Sequence, residues 1–493
     1  MLVLLGAAAY LYLNLFALPC TPYLLGGDQV YFWLDAQHML YGQRIYQDFL
    51  EFTPPGTDLF YFSLFKLFGF RIWVANAAVL ALGVAFCWIC FSLAIGLMRR
   101  NSALLATALF LILVYGKALN ATHHWFSVLA VMGAVRVSFT RLNLRTAVLS
   151  GAILGLASFF NQTHGAAGLF AFAVFLLWRR SHLKSSWTDL LRNEAGLLFS
   201  FVFALLVLNA HLIATVGLRQ IGYFQVTYVT TYVVNLSQGS LLGLPKPLSW
   251  QTLPALTPYL AVYISLPAVY LLTLWRCLRE QFNSSFPWDR TALLAMVGLS
   301  FLAEVSLSLN WLRLYAVSLP GIVLLIVTLD QATKLRRYVF AFIWIAVIGL
   351  AVRQSIITHR SQSLRASLPG GATALAPQAY EKLQWIMQHT TPGEFFFQAG
   401  WPGMYLPLQL RNPLYLNTAY AARPQDAEQA VQQLRAARVP FILWTEHLDS
   451  KCDPGRPCND GIAPIRDYLH RSYVRVRTFP DGDTLWQRTA AHP

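Results

Sequence analysis

The sequence predicts an α-helical polytopic membrane protein with about eleven transmembrane helices and a small C-terminal α/β domain outside the membrane. Apolar residues (AVILMFWYC) make up 56% of the 493 residues, and charged residues only 12%. The mean hydropathy is +0.48. Apolar runs close to the ~20 residues that cross a bilayer recur along the chain. The composition becomes polar at about residue 357.

The apolar runs define the predicted transmembrane spans. They cover residues 1–18, 72–98, 102–116, 122–139, 146–161, 164–178, 195–216, 255–275, 291–309, 312–330 and 338–356. The first run has no basic residues before it and no small-residue cleavage site, so we expect a retained span and not a signal peptide. Segment 56–69 is shorter and amphipathic, which predicts an interfacial or partly inserted helix.

Basic residues predict the orientation of these spans. The formal net charge is +15, and clusters of Lys and Arg fall in the loops after the even-numbered spans. These clusters are Arg99 and Arg100; Arg136, Arg141 and Arg145; Arg179, Arg180, Lys184 and Arg192; Arg276, Arg279 and Arg290; Lys334, Arg336 and Arg337. The positive-inside rule places them and the N-terminus in the cytoplasm. Small clusters between apolar runs indicate membrane anchoring, so we predict no nucleic-acid partner.

The polar tail is predicted to be a separate unit outside the membrane. Residues 1–356 form the predicted membrane domain, and residues 357–493 form the predicted α/β domain. Residues 378–390 have helical spacing, while "GEFFFQAG", "VPFILWT" and "YVRVRTF" have strand spacing. In an oxidising compartment, Cys452 and Cys458 are predicted to form a disulfide.

The first outer loop, residues 19–71, has an unusual share of the acidic residues. Asp28 follows Gly26-Gly27 and precedes a predicted interfacial helix. It is either the N-cap of that helix or a general base, and the two roles are compatible. Asp48 is either a helper of Asp28 or solvated, whereas Asp35 and Glu51 are predicted to be solvated.

The loop resembles the first outer loop of GT-C glycosyltransferases, among them protein O-mannosyltransferases, lipid A aminoarabinose transferases and bacterial lipopolysaccharide glycosyltransferases. The matching elements are Gly-Asp-Gln at 27–29, "YGQRIYQDFLEFTPPG", "LFKLFG" and, late in the chain, "NWLRLYAVSLPGIVLLI". The family usually has an Asp-Glu pair where this sequence has Asp28-Gln29.

The resemblance implies a glycosyltransferase at the outer face of a cytoplasmic membrane of bacterial type. The donor is then a polyprenyl-phosphate-linked sugar, which is transferred with inversion to a lipid, glycan or protein acceptor. Asp28 is the implied base and Asp48 a helper. No cofactor is certain. A divalent cation held by Asp28 with Asp48 and Glu51 is the less favoured alternative.

The leaving lipid phosphate requires cationic or hydrogen-bonding groups near the outer boundary. The candidates are Lys117, His123, His124, His164 and Arg313. Each histidine has a structural alternative as a hydrogen-bonding or packing residue. Glu304 lies inside a predicted span, where a carboxylate is either functional or paired with Arg313 or Asn310.

Two other functions compete with glycosyl transfer. A transporter or flippase of lipid-linked saccharides also has many spans, but the sequence shows no internal repeat. A ligase of surface polysaccharide is expected to have a large acceptor-binding loop in mid-chain, and loop 217–254 is only moderate in length. The sequence therefore favours the glycosyltransferase.

Overall fold

A computed structural model describes residues 2–140, 142–183, 186–233, 249–250, 252–280, 286–306, 310–331, 336–419, 423–449 and 461–489. Helices dominate it. They are α1 (Leu2–Leu15), α2 (Gln29–Leu40), α3 (Gly56–Phe68), α4 (Ile72–Ala94), α5 (Arg100–Leu109), α6 (His123–Ser138), α7 (Leu144–Phe160), α8 (Gln162–Leu183), α9 (Trp187–Thr215), α10 (Leu218–Gly222), α11 (Leu253–Glu280), α12 (Trp288–Val305), α13 (Trp311–Ala316), α14 (Leu319–Gln331), α15 (Arg336–Ser361), α16 (Pro377–His389), α17 (Tyr405–Leu408), α18 (Pro424–Ala436) and α19 (Ala463–Ser472).

Three of the described helices are long and apolar enough to cross a membrane: α4, α9 and residues Arg337–Ser361 of α15. Val3–Leu15, α7 and α14 are apolar but shorter. The count of eleven spans therefore stays a prediction. Helices α2 and α3 occupy the two segments of the first outer loop that were predicted as interfacial helices, and their position at the interface stays a prediction.

Two of the predicted spans are not continuous α-helices. The span predicted at 102–116 begins as α5, widens into a π-helix at Phe110–Val114 and ends as a 3₁₀ turn at Tyr115–Lys117. The span predicted at 312–330 is divided into α13 and α14, and Pro320 lies in the first turn of α14. Proline has no N–H for the preceding turn, which explains an interruption there.

Small residues allow α7 and α9 to pack closely. A Cβ atom on Gly151 of α7 would lie 2.1 Å from Ser200 Oγ and 2.2 Å from the backbone oxygen of Leu197, both on α9. The start of α7 is fixed by a capping box in which Asn143 and Thr146 satisfy each other's backbone N–H groups. Sequence thus determines both where α7 begins and how near α9 approaches.

The basic loops gather at one end of the helices. Arg290 donates to the Gly96 carbonyl at 3.1 Å, and Arg276 donates to Gln331 at 3.2 Å. Arg136 lies in the last turn of α6, whereas the first outer loop contacts Ala121, just before α6 begins. The acidic loop and Arg136 are therefore at opposite ends of α6, as the predicted orientation requires. Orientation in the membrane remains a prediction.

The polar C-terminal region combines helices with two sheets. Strands β3 (Leu364–Leu368) and β4 (Gly371–Leu375) pair antiparallel, and a second sheet has the order β5-β6-β8-β7. Its strands are β5 (Phe396–Gln398), β6 (Phe441–Trp444), β7 (Tyr473–Thr478) and β8 (Thr484–Arg488). The remaining short pair is β1 (Phe16–Ala17) with β2 (Thr21–Pro22). The helix and strands predicted in this region are confirmed. Cys452 and Cys458 lie outside the described residues.

The C-terminal region is bound to the first outer loop along its length. Backbone hydrogen bonds join Leu24 N to Ala374 O at 3.0 Å and Leu50 N to Tyr415 O at 2.8 Å. Helix α15 continues through the predicted boundary at residue 356 and ends at Ser361. The division into two domains stays a prediction, and the contacts show that the two parts pack together.

The α7–α9 contact gives a test of the packing. We expect Gly151→Ala to lower the free energy of unfolding by about 1–3 kcal/mol, because the new methyl group meets a backbone oxygen that cannot rotate away. Thermal unfolding in detergent measures this. The control is Gly349→Ala, whose Cβ has no neighbour within 4 Å and which should be neutral or stabilising. Equal stability of the two variants would contradict the packing.

Candidate functional site

Asp28 lies at the turn between the first span and α2. Gly27 has a φ of +79°, a conformation that glycine adopts without strain, and α2 begins at Gln29. Asp28 occupies the predicted N-cap position of α2, but its side chain makes no capping hydrogen bond, so the predicted capping by its carboxylate is wrong. Burial raises the pKa of Asp28, and the nearby positive charge of Arg313 opposes this shift. The carboxylate is thus half-buried and within electrostatic range of a cation.

Gln29 fixes the position of Asp28. It is fully buried, its Nε2 donates to the Gly26 carbonyl at 3.0 Å, and its Oε1 accepts from Ala121 N at 3.2 Å. The hydroxyl of Tyr61 in α3 donates to the Ala121 carbonyl at 3.0 Å. A glutamate could not donate to Gly26 when ionised. The amide at this position therefore ties the turn to the start of α6.

A polar network lies among α6, α8 and α12. His164 Nδ1 lies 2.7 Å from Ser127 Oγ, and its Nε2 lies 3.2 Å from Glu304 Oε2. The hydroxyl of Thr163 also donates to Glu304. Glu304 therefore pairs with His164, a partner that the sequence did not predict, and it also lies within electrostatic range of the predicted partner Arg313. Asn310 instead caps α13, since its side chain accepts from Arg313 N at 2.9 Å.

The other two candidate histidines extend this network toward the first outer loop. The rings of His123 and His124 are 4.0 Å apart, and that of His124 is 5.3 Å from the ring of His164. Phe32 of α2 packs on His123 at 5.4 Å. Arg313 is within electrostatic range of His123, Glu304 and Asp28. Four of the five predicted phosphate-binding residues are thus brought together.

Lys117 and Asp48 lie elsewhere in the described structure. Lys117 is exposed in the 3₁₀ turn after α5. Asp48 is partly exposed, and its Oδ2 accepts from the backbone N–H of Arg44 at 2.7 Å and lies 3.3 Å from Nε of the same residue. Asp48 therefore stabilises the loop in which it lies, through its contacts with Arg44. Its role as a helper of Asp28 stays a prediction.

The acidic residues of the loop form a buried cluster that the sequence did not predict. Asp35 and Asp58 are fully buried and Glu51 is 5% exposed, so the prediction that Asp35 and Glu51 are solvated is wrong. One carboxylate oxygen from each of the three lies within 4.8 Å of the others. Burial and the charge of Glu51 raise the pKa of both Asp35 and Asp58.

The cluster involves backbone and C-terminal groups. Glu51 Oε1 accepts from the backbone N–H groups of Phe52, at 2.7 Å, and of Thr53. Asn417 Nδ2 donates to Asp35 Oδ1. These donors make the burial of Glu51 and Asp35 less unfavourable, since a buried carboxylate needs donors. The one feature of the sequence that could have indicated this cluster is Asp58, a charged residue inside the apolar segment "GTDLFYFSLF".

Among the described residues, this cluster is the one group of three possible metal-ligating residues whose ligand atoms lie within 4.8 Å of one another. The set Asp28, Asp48 and Glu51 does not converge in this way. The predicted cation at that set is therefore not supported, because Asp48 binds Arg44 and Glu51 lies with Asp35 and Asp58.

Comparison with solved structures identifies the fold. The chain is similar to ArnT from Cupriavidus metallidurans bound to undecaprenyl phosphate, with a TM-score of 0.64, 12% identity, and coverage of 99% of this chain and 98% of ArnT. It is also similar to archaeal oligosaccharyltransferase AglB from Archaeoglobus fulgidus in complex with an inhibitory peptide and a dolichol-phosphate (TM-score 0.53, 12% identity, 100% and 74% coverage). A third structure is the Archaeoglobus fulgidus oligosaccharyltransferase complex with Zn and sulfate, with a TM-score of 0.50, 13% identity, and coverage of 99% of this chain and 73% of that chain.

No protein-family model matches the sequence, and no curated protein matches it. The structural neighbours are GT-C membrane glycosyltransferases. At 12–13% identity the likeness shows the fold alone: the chain shares the fold of these structures, as the resemblance of its first outer loop predicts. A membrane location agrees with these neighbours and with the long apolar helices.

Gln29 gives a test of the anchored turn. We expect Gln29→Leu to lower the free energy of unfolding by about 1–3 kcal/mol, because the buried Ala121 N–H loses its acceptor. Thermal or chemical unfolding in detergent measures the change. Gln378→Leu, at an exposed position in the first turn of α16, is the matched control and should change stability little. An unchanged Gln29→Leu protein would show that the turn does not depend on this amide.

Proposed function

We propose that this protein is an inverting membrane glycosyltransferase that transfers a sugar from a polyprenyl-phosphate donor to an acceptor hydroxyl. The supporting observation is the placement of Asp28, a carboxylate at the rim of the bundle within electrostatic range of Arg313. A base and a cation side by side suit a reaction that removes a proton from one substrate and releases a phosphate from the other.

Asp28 is the proposed general base. Its carboxylate accepts the proton of the acceptor hydroxyl while the hydroxyl oxygen bonds to the anomeric carbon. The bond from that carbon to the phosphate oxygen breaks, and the lipid phosphate leaves as an anion on the opposite face of the sugar. Because the leaving group is already anionic, no second acid is required.

Arg313 and the histidine network are proposed to bind the lipid phosphate. Arg313 supplies a permanent positive charge, and His123 and His124 supply ring N–H donors. Glu304 and Ser127 fix the ring of His164 on both nitrogens. Lys117 is exposed in this structure. We retain it as a proposed binding residue for the lipid phosphate at the outer boundary of the membrane.

The lipids in the neighbouring structures support this assignment. ArnT is bound to undecaprenyl phosphate and AglB to a dolichol-phosphate, which are both polyprenyl phosphates. We infer that this chain uses a donor of the same chemical class at the outer face of a cytoplasmic membrane. The acceptor is a lipid, a glycan or a protein, and the sugar is open.

The opposite end of the bundle is suited to anionic lipid headgroups. A cavity of about 620 Å³ there is lined by Arg145, Arg179, Arg180 and Arg192 together with Asp189. A cluster of arginines attracts the negative surface of a cytoplasmic leaflet. This agrees with membrane lipids as partners and with the proposed orientation.

Asp28→Asn tests the base directly. We expect the rate of transfer from a polyprenyl-phosphate sugar in detergent to fall by about 10²–10⁴-fold, because the amide cannot accept the proton. Asp48→Asn is the comparison, and because Asp48 is predicted only to assist Asp28, we expect a much smaller loss of activity. Full activity of a folded Asp28→Asn protein would refute the assignment. Movement of the donor across vesicles without any transfer would favour a flippase instead.

The pH profile tests the same carboxylate in another way. The base must be ionised, so kcat/KM should fall as the pH drops through the pKa of Asp28, which burial raises above its usual value. Arg313→Gln removes the charge that lowers this pKa, so the acid limb should move to higher pH. The control is Arg44→Gln, which removes the partner of Asp48. A limb that moves only in Arg44→Gln would assign the base to Asp48.

A further inference from the structure

We propose that a cavity between the end of α2 and the C-terminal region binds an acidic saccharide, that is, a sugar unit that carries a carboxylate or a phosphate. The cavity has a volume of about 250 Å³. Tyr41, at the C-cap of α2, lies in its wall, whereas Asp28 is at the N-cap, about 20 Å away at a rise of roughly 1.5 Å per residue. The cavity is therefore separate from the proposed reaction centre, and the proposal does not depend on the transfer reaction.

The turn that ends α2 forms one wall of the cavity. Gly42 has a φ of +84°, which turns the chain so that the Gln43 N–H donates back to the His38 carbonyl at 3.0 Å. The N–H groups of Tyr41 and Gly42 also donate to carbonyls of the last turn of α2, at 3.1 and 3.0 Å. These bonds satisfy the carbonyls that would otherwise attract cations to the end of a helix.

Arg411 supplies the positive charge of the cavity. Its backbone is fixed, because its N–H donates to the Glu394 carbonyl and its carbonyl accepts from the Phe396 N–H, both at 2.9 Å. Its guanidinium lies 4.1 Å from the ring centre of Tyr41 and 5.2 Å from that of Phe395. In the described part of the chain no ion pair joins Arg411 to a carboxylate, and none of the described residues that line the cavity is acidic. An arginine placed in this way favours an anionic ligand.

Two neutral side chains that line the cavity have only donors left. Gln433 Oε1 accepts from the Tyr415 N–H at 2.8 Å, and Gln43 Oε1 accepts from His38 Nδ1. With its oxygen engaged, each glutamine has its NH₂ group to offer to a ligand. Burial lowers the pKa of His38 to about 4, so its ring is neutral at physiological pH and Arg411 is the charged group. Amide donors beside an arginine complement the oxygens of a carboxylate or a phosphate.

The size of the cavity and its other groups favour a sugar over a bare anion. Sites for drug-sized ligands have roughly 300–1,000 Å³, so a cavity of about 250 Å³ suits a single small ring. The side chain of Tyr41 is 50% exposed and offers apolar ring area beside a hydroxyl. Gln37 Nε2 donates to the Leu410 carbonyl at 2.9 Å, so its Oε1 is the atom left to accept from a sugar hydroxyl.

Isothermal titration of the purified full-length protein in detergent tests the site. The probes are glucuronate, glucose 6-phosphate, glucose and inorganic phosphate at constant ionic strength. We expect both acidic sugars to bind saturably, and glucose to bind about tenfold more weakly or less, because it lacks the group that Arg411 binds. Arg411→Gln should weaken the binding of both acidic sugars by about tenfold or more for the same reason.

Two control variants should bind the acidic sugars as the wild type does. Arg435→Gln removes an arginine that also lies over an aromatic ring, that of Tyr468 at 5.1 Å, but does not line the cavity. Asp28→Asn removes the proposed base at the other end of α2. Failure of the transfer reaction is therefore distinguishable from failure of this site.

Four results would overturn the proposal. If no acidic sugar binds, Arg411 only joins the end of α2 to the C-terminal region. Equal binding of glucose and glucuronate would contradict the role of the charge, and inorganic phosphate that binds as tightly as glucose 6-phosphate would contradict the role of the sugar ring. Unchanged binding by a folded Arg411→Gln protein would place the ligand elsewhere. If that variant does not fold, the comparison of the four probes on the wild type still decides.

Discussion

The position of the first outer loop depends on the backbone of one residue, Ala121. Its N–H donates to Gln29 and its carbonyl accepts from Tyr61, so both interfacial segments are fastened to the point where α6 begins. The same point leads directly into His123 and His124. A shift of α6 would therefore move the turn of Asp28 and the histidines together. The proposed base and the proposed phosphate-binding groups thus share one anchor, which fixes their positions relative to each other.

A second constraint is the burial of charge in a protein with few charged residues. Glu304 is compensated by His164 and Thr163, and Asp28 is influenced by Arg313. Both are therefore matched by a donor or a cation on a neighbouring helix. The buried carboxylates of the first outer loop differ, since backbone amides supply the donors of Glu51 and an asparagine supplies that of Asp35. That difference separates the proposed reaction centre from the buried acidic cluster.

Much of the fold follows from local pattern, whereas much of the site does not. Hydropathy located the helices, alternation located strands such as Tyr473–Thr478, and the Gly-Asp-Gln turn located Asp28. The burial of Asp35 was not predictable, because it depends on Asn417, far away in sequence. The same holds for the pair His164 and Glu304, which meet only when α8 packs against α12. The π-helix at Phe110–Val114 has no composition signal, since its residues are ordinary apolar ones.

The close union of the C-terminal region with the first outer loop limits how the protein can be divided. Asn417 and Leu410 both contribute to contacts with α2, through Asp35 and Gln37. A chain shortened after Ser361 would leave three carboxylates facing water or one another at the base of the loop. Exchange of this region between relatives would likewise need the receiving loop to present matching acids. The region therefore behaves as a part of the outer-loop architecture and not as an interchangeable module.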